Sequence, residues 1–225
     1  MNYTKATDPA NLLLVEANSV YARTFATGRY GVTATLNSKI LGPNVTGNNS
    51  WAYRQYNYGQ DHPAILKWLE YFNRTSVNAN IGFPYVMIPL FTTEEVLLNR
   101  AEAYARLNKY DSALADLNTF ASQRFNSYVA RNHSVTIEKA QAFYPGTNAT
   151  QALINTALDF KRAEFMLEGM RWFDVIRNRL TVTHVFIDPN DPLIRTTITV
   201  PPDDPRRVFQ IPLSAKQAGL DLNPR

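Results

Sequence analysis

The sequence predicts a mainly α fold, in which a tetratricopeptide-like helical hairpin packs on further helices after a loop-rich region and before a small antiparallel β-sheet near the C-terminus. Apolar residues recur at helical spacing over 93–107, 111–125 and 150–167. The segments 181–187 and 195–200 alternate with period two, as strands do. We expect a single domain over 1–225, divided into a loop-rich region at 1–90, a helical core at 91–180, and a small sheet with a tail at 181–225.

The composition is that of a globular protein with a substantial core, since 45% of the 225 residues are hydrophobic and 19% are charged. The net charge of +4 is scattered, with no block of Lys or Arg, so no nucleic-acid partner is expected. The absence of cysteine excludes disulfides, thiol catalysis and cysteine-based zinc sites. No apolar run reaches the length of a membrane span, and the first residues lack the basic start and cleavage site of a signal peptide.

The elements expected before residue 91 are short. Residues 11–20 fit either a short helix or a buried strand, and 30–40 alternates weakly, which favours a strand or an extended passage. The stretch 61–72 opens with Asp-His-Pro and has an apolar face at helical spacing, which predicts a helix. Residues 78–90 are broken by a glycine and two prolines, so they are expected to be extended.

An aromatic cluster follows the Gly- and Asn-rich loop at 42–50. Its members are Trp51, Tyr53, Tyr56 and Tyr58, interleaved with Arg54, Gln55 and Asn57. Rings with an apolar body and a polar tip suit half-wet contacts such as the C–H faces of sugars, and loops on a rigid scaffold often carry binding residues. We expect this cluster to be the ligand site, with Trp51 exposed. The alternative is that the four rings cover the hydrophobic edge of the loop-rich region.

The hairpin at 91–125 organises the chain. Thr92 is a good N-cap, Glu95 completes a capping box, and Asn108 tolerates the left-handed conformation that ends a helix. Half of a tetratricopeptide pattern is matched by Tyr104, Asn108, Tyr110, Ala113 and Leu117. One such unit cannot bury its own apolar face. We therefore expect it to pack against 150–178, with a shared core that buries Leu97, Tyr104, Leu117, Phe160 and Trp172.

A helix over 150–167, capped by Asn148 or Thr150, is expected to break at Gly169 and to continue as a short second helix. Glu164 and Glu168 stand four residues apart, with nearby arginines at Arg162, Arg171 and Arg177. Paired carboxylates serve as acid and base in glycosidases, but carboxylates flanked by arginines favour an ion-pair network that locks the helix break. We expect Trp172 and Phe173 to be wedges against the hairpin rather than sugar platforms.

The last part of the chain predicts a small antiparallel sheet, with strands at 181–187, 195–200 and 207–211, followed by a turn of helix. Its acidic residues fit either calcium ligands or ordinary turns, and the neighbouring prolines favour turns: Asp188, Asn190, Asp191, Asp203 and Asp204. The three histidines are too far apart in sequence to indicate a metal site: His62, His133 and His184. No metal and no cofactor are expected.

Three stretches together resemble the SusD/RagB family of nutrient-binding outer-membrane lipoproteins of Bacteroidetes. The first is LLNRAEAYARLNKYDSALADLN in the hairpin, and the second is FKRAEFMLEGMRWFDVIR at 160–177. The third is the closing pattern formed by 209–212 with Asn223 and Pro224. The EG-x-RWFD segment is specific, and its residues are Glu168, Gly169, Arg171, Trp172, Phe173 and Asp174.

The resemblance implies tetratricopeptide-like helix pairs on one side, a loop-rich ligand side, and no catalysis. It implies binding of an oligosaccharide or other nutrient, which passes to a SusC-like TonB-dependent outer-membrane transporter, as in polysaccharide utilisation. It also implies an extracellular-facing location at the outer membrane. The chain matches the C-terminal portion of the family and lacks the N-terminal half, with its signal peptide, lipid-bearing cysteine and first helical pairs. We therefore expect it to be either a fragment of a longer protein or the product of a truncated gene.

Two other function classes compete with a binding module. A helical-repeat scaffold that binds a protein segment is favoured by the hairpin alone, but only one clear repeat is present. A glycoside hydrolase is supported only by acidic residues such as Glu164 and Glu168, for which an ion-pair role fits better. The ligand loops of the family vary, so no ligand residue transfers by motif.

Overall fold

The structure is a computed structural model and describes residues 14–18, 34–53, 55–57, 63–65, 70–166, 168–187 and 195–224. Within these residues the fold is mainly helical, with a small antiparallel sheet near the C-terminus, so the predicted fold class is confirmed. The tetratricopeptide-like character of the hairpin stays a prediction. The chain divides into two compact units, Met1–Leu167 and Glu168–Arg225. The division predicted at residues 90 and 180 stays a prediction.

The described part of the first unit begins with short strands. They are β1 (Leu14–Asn18), β2 (Gln55–Asn57), β3 (Pro63–Ile65), β4 (Glu70–Arg74) and β5 (Gly82–Pro89). β5 is the centre of a three-stranded antiparallel sheet between β1 and β4, and β2 pairs with β3. The extended passage expected at 78–90 is thus confirmed in β5. The alternative at 11–20 is resolved in favour of a strand, although Val15 is exposed rather than buried.

Two predictions made for the chain before the hairpin are wrong. A helix, α1 (Ala34–Leu41), lies where a strand or extended passage was expected. It ends at Gly42, where a Cβ atom would lie 2.1 Å from the Ser38 carbonyl oxygen, so a glycine is needed there. The helix expected at 61–72 is replaced, in its described parts, by β3 and β4. Pairing of β4 with β5 overrides the helical spacing, because aromatic residues such as Tyr71 also fit a pleated sheet well.

The helical hairpin has the predicted form. It consists of α2 (Thr93–Arg106) and α3 (Tyr110–Arg124), which pack against each other. The Thr92 hydroxyl accepts a hydrogen bond from the Glu95 amide at 3.3 Å and so caps α2. Asn108 has a φ of 56°, the left-handed conformation expected for the turn. Its side-chain carbonyl accepts hydrogen bonds from the Tyr110 and Thr150 hydroxyls, which fixes the turn.

Three further helices follow in the first unit: α4 (Ala130–His133), α5 (Ile137–Phe143) and α6 (Ala149–Glu164). The Asn148 side chain caps α6 by accepting a hydrogen bond from the Gln151 amide, as expected. α6 packs against α2, α3 and α5, so it covers the apolar face of the hairpin. Leu117 and Phe160 are wholly buried, which confirms the core expected around them. The burial expected for Leu97 and Tyr104 is wrong, because both are only half-buried.

The second unit contains α7 (Arg171–Arg177), a two-stranded antiparallel sheet of β6 (Val182–Ile187) and β7 (Arg195–Val200), a 3-10 turn (Pro205–Arg207) and α8 (Leu213–Gln217). The third strand expected at 207–211 is wrong, because the chain there leaves the 3-10 turn without joining the sheet. Arg207 is buried and donates hydrogen bonds to the carbonyl oxygens of Leu180, Val200 and Pro201. The Arg207 side chain therefore holds this segment in place, where pairing between backbone groups was expected.

Candidate functional site

The structure places Trp51 in the helical core. Its backbone forms an antiparallel bridge with Phe125, and the Ala52 amide donates to the Arg124 carbonyl at 2.8 Å. This pairing draws the indole against the Phe125 ring, at 4.2 Å between centroids, and against the edge of Phe160 at 6.1 Å. Trp51 is 8% exposed, so the exposure expected for it is wrong. Backbone pairing with the end of α3, which no local pattern reveals, accounts for the burial.

Tyr53 lies next to Trp51 in the same core. Its ring stacks on the indole at 5.4 Å with an angle of 13° between the planes. Its hydroxyl donates to the Glu164 carboxylate at 2.5 Å. Burial and the charge of Glu164 both raise the pKa of Tyr53 far above its usual value near 10. The Tyr53 hydroxyl is therefore a fixed, protonated donor and is already committed to a protein partner.

For the other two members of the aromatic cluster, the structure describes only the backbone of Tyr56. Tyr56 belongs to β2, where its backbone pairs with Ala64, and Tyr58 lies outside the described residues. Sugar binding by the cluster stays a prediction. Trp51 and Tyr53 favour the packing alternative for their half of it.

Glu164 is the centre of a buried polar network at the end of α6. Its side chain is 0% exposed and accepts hydrogen bonds from Tyr53 and from the Arg124 guanidinium, whose Nε lies 2.9 Å away. Arg124 also pairs with Glu94 at 2.5 Å. Burial lowers the pKa of Arg124, but hydrogen bonding to Glu164 and the charges of Glu164 and Glu94 outweigh it, so the net shift is upward. One guanidinium thus joins the start of α2, the end of α3 and the end of α6.

Arg124, the partner of Glu164 in this network, comes from the helical hairpin, whereas the sequence suggested the arginines near Glu164 along the chain. Arg162 pairs with Asp159 at 3.2 Å, and Arg177 pairs with Asp174 at 3.0 Å. A buried carboxylate already held by a guanidinium and a phenol has no access to a substrate. The arrangement therefore supports a structural role for Glu164 rather than that of a glycosidase acid or base.

The EG-x-RWFD residues open the second unit. Gly169 has a φ of 78°, a left-handed conformation that breaks the chain before α7. Asp174 is 2% exposed and pairs with Arg177 one turn later. Trp172 is half-buried, with its ring 6.1 Å from that of Phe209. Phe173 is 66% exposed, so the wedge role expected for it is wrong. Glu168 and Arg171 are half-buried.

One aromatic group was missed by sequence reasoning. On the β4–β5 hairpin, the aromatic sheet face consists of Tyr71, Phe83 and Tyr85. Tyr71 lies opposite Tyr85, and their rings stack at 5.4 Å between centroids. Phe83 follows the same face of β5 and is 67% exposed. The signal that could have found it is the alternation of Phe83, Tyr85 and Met87, once that segment is recognised as a strand.

Each unit has a groove among its described residues. The groove in the second unit, about 330 Å³, is lined in part by Arg179, Asp203 and Asp204. Asp203 pairs with Arg179, and Asp204 pairs with Arg206. Hydrogen bonds from Arg206 hold the pKa of Asp204 at about 2, and Asp204 caps the 3-10 turn. This supports the turn over the calcium alternative at Asp203 and Asp204.

The remaining calcium candidates, at 188–191, lie outside the described residues. Among the residues that the structure describes, no three His, Asp or Glu side chains are grouped as a metal site would need. The groove of the first unit, about 430 Å³, is lined by the turn at 44–47 and by parts of α4 and α5. Its Lys139 ammonium donates to the carbonyls of Asn132 and Ser134. Lys139 thus serves to fix the loop between these helices.

Comparison with known protein families decides the relationship. The family model described as "SusD family" matches residues 29–208, which is well over half of the chain. The chain belongs to the SusD family. No curated protein matches it. The resemblance seen in the hairpin and in the EG-x-RWFD segment is therefore confirmed.

Membership in the SusD family sets the general class of function. The SusD family is a family of outer-membrane-associated proteins that bind nutrients and glycans, and it is generally non-enzymatic. Within the described part of this SusD family chain, no helix is long and apolar enough to span a membrane. The burial of Glu164 agrees with membership in a binding family, because Arg124 and Tyr53 already engage its carboxylate.

Proposed function

We propose that this chain takes part in the non-enzymatic binding of an oligosaccharide or other nutrient at the bacterial outer membrane, and in its delivery to a SusC-like TonB-dependent transporter. The observation that carries the proposal is the family match over 29–208. The proposal includes a lipoprotein anchor, an extracellular-facing position, and an origin in Bacteroidetes with a role in polysaccharide utilisation.

Two features of the molecule support binding over the competing classes. The apolar face of the hairpin is covered by α6, so the hairpin does not need a bound protein segment to complete its core. The carboxylate of Glu164 is engaged by Arg124 and Tyr53, which argues against its use in glycoside cleavage. A helical-repeat scaffold and a glycoside hydrolase are therefore less well supported.

A panel of polysaccharides tests the proposal. The purified chain is run through gels that contain soluble starch, mannan, xylan, dextran or polygalacturonate, and the same mixtures are assayed for reducing sugar. We expect retardation by at least one polysaccharide and no release of sugar. Release of sugar would make the protein an enzyme, and mobility unchanged in every gel would contradict glycan binding by this chain.

The transporter partner needs a separate test. The full-length native protein, extracted in mild detergent, is expected to co-purify with a TonB-dependent transporter of the SusC type. Recovery with porin-like proteins of other families only would count against delivery, while leaving glycan binding by the chain unaffected.

The aromatic cluster at 51–58 is tested by Trp51→Ala. Because Trp51 packs on Phe125 and Phe160, we expect the variant to lower the melting temperature, with a cost of about 3–5 kcal/mol for a buried Trp. An unchanged melting temperature with weaker glycan retardation would instead return Trp51 to the ligand site. Tyr56 and Tyr58 are the members for which ligand contact remains a prediction.

A further inference from the structure

We propose that the aromatic sheet face (Tyr71, Phe83 and Tyr85) is a binding platform for a neutral saccharide. The inference rests on the proposed function, because it names the residues at which this chain would hold a glycan. It places the ligand on a rigid strand pair, away from the cluster at 51–58 whose Trp51 and Tyr53 are committed to the core.

The antiparallel register brings the three rings together. Tyr71 lies directly opposite Tyr85, and Asn73 lies opposite Phe83. Since alternate residues of a strand share a face, Phe83 and Tyr85 lie side by side, about 6.8 Å apart along β5. A saccharide chain that follows β5 therefore meets two rings in succession, with Tyr71 stacked beside the second.

Exposure rises along β5 towards the turn. Met87 is 5% exposed and anchors the strand, Tyr85 is half-buried, and Phe83 is 67% exposed. A phenyl ring left this open removes apolar area from water only when something covers it. The C–H face of a pyranose ring is a cover of the right size for a single aromatic ring, and the half-buried tyrosines hold the platform in place.

The polar groups around the rings favour a saccharide over an apolar protein partner. Asn73 is exposed opposite Phe83, and the turn that joins the strands adds Asn78 and Asn80, both exposed. Amides donate and accept hydrogen bonds, as sugar hydroxyls do, and the tyrosines add phenolic groups. On β4 and β5 the described side chains of this face are uncharged: Tyr71, Asn73, Phe83, Tyr85 and Met87. On β1 the register places the exposed Glu16 on the same face, opposite Met87. A carboxylate beside the rings repels acidic sugars, so neutral sugars are expected.

The hairpin supplies its own control. Phe72 is 52% exposed on the same strand pair, but its register partner is Pro84, so it lies on the opposite face. Phe83→Ala and Phe72→Ala therefore remove the same exposed ring from the two faces. A third variant, Tyr85→Phe, keeps the ring and removes only the hydroxyl. It therefore tests the platform without creating a cavity.

The experiment is affinity gel electrophoresis of the full 225-residue chain in soluble starch, mannan, xylan and dextran, with polygalacturonate as the charged comparison. For a neutral polysaccharide that retards the parent, we expect Phe83→Ala to raise the apparent dissociation constant at least fivefold. Tyr85→Phe should raise it by two- to threefold, and Phe72→Ala should change it by less than twofold. Circular dichroism melts of Phe83→Ala and Tyr85→Phe should match that of the parent.

The outcomes separate the platform from the function. If the parent is retarded and all three variants are retarded equally, the platform is wrong while the proposed function stands. If no polysaccharide retards the parent, both the platform and glycan binding by this chain are overturned. If only polygalacturonate is bound, or if Phe83→Ala abolishes self-association seen by light scattering and not glycan binding, the neutral-saccharide platform is overturned.

Discussion

The helical core and the three-stranded sheet of the first unit use aromatic residues in opposite ways. In the core, Phe120 and Phe160 are 2% and 1% exposed and stack on each other at 5.1 Å. In the sheet, Phe72 and Phe83 are 52% and 67% exposed. Aromatic content alone therefore does not locate a ligand site. The rings near α6 stabilise the fold, whereas Phe72 and Phe83 on β4 and β5 remain available to a partner.

Replacing one ring from the core and one from the sheet tests this contrast directly. Phe160→Ala removes a ring that contacts Phe120, Phe125 and Trp51, so it should cost about 3–5 kcal/mol of unfolding free energy. Phe72→Ala removes the same ring from an exposed strand position and should change stability by about 0.5 kcal/mol or less. Urea denaturation of both variants measures the difference. Equal losses would mean that the sheet and the core do not differ as described.

The same contrast explains how far the sequence could predict the fold. The helices at 93–106, 110–124 and 149–164 were predictable because each carries its own apolar period, and the first and third also have local caps at Thr92 and Asn148. The strands were harder to predict from the sequence. Residues 70–74 have an apolar spacing that suits a helix, and only pairing with β5, distant in sequence, decides the outcome.

The candidate site was less predictable than the fold for a related reason. Trp51 is buried by a backbone bridge to Phe125, and Glu164 is held by Arg124, so both depend on contacts across long stretches of chain. Local sequence offered Arg162, Arg171 and Arg177 as partners for Glu164. The EG-x-RWFD pattern, by contrast, was enough to identify the family, because it is a specific string rather than a spatial arrangement.

The hydrogen bond from Tyr53 to Glu164 can be tested within the core. Tyr53→Phe removes the hydroxyl that donates to Glu164 but keeps the ring stacked on Trp51. A hydrogen bond to a charged group contributes about 1.5–3 kcal/mol, and a loss of that size is expected in urea denaturation. Tyr85→Phe on the aromatic sheet face is the matched control, and its stability should change by less than about 0.5 kcal/mol. A Tyr53→Phe variant as stable as the parent would show that Arg124 alone satisfies Glu164.

Alkaline pH should expose a further property of the buried tyrosines. Burial, with the charges of Glu164 and Asp159 respectively, raises the pKa of Tyr53 and of Tyr144 above the usual value near 10. Both hydroxyls stay protonated in the folded chain at pH 11, whereas unfolded tyrosines ionise. The contribution of each raised pKa to the free energy of unfolding is fully present below pH 10 and is lost as pH rises. At pH 11 the loss is about 1.4 kcal/mol for each of the two tyrosines.

Urea denaturation at pH 9 and pH 11 measures this loss. Tyr144→Phe should lower stability at pH 9, because it deletes the hydrogen bond to Asp159 at 2.6 Å, yet its further decline to pH 11 should be about 1.4 kcal/mol smaller than that of the parent. A decline equal to that of the parent would show that Tyr144 ionises freely in the folded state.

The smallest expected effect lies where the sheet meets the helical core. β5 ends at Pro89, and the chain enters α2 at Thr92, whose hydroxyl accepts the Glu95 amide hydrogen bond. Thr92→Ala leaves that amide without its cap and should cost about 1 kcal/mol. The adjacent Thr93→Ala makes the same chemical change, but the Thr93 hydroxyl donates to the Glu94 carboxylate at 3.2 Å and caps no amide, so a cost well below that of Thr92→Ala is expected. Thermal melts of the two variants compare them, and amide exchange at Glu95 shows whether the first turn of α2 frays. If Thr93→Ala costs as much as Thr92→Ala, the loss in Thr92→Ala does not come from the cap.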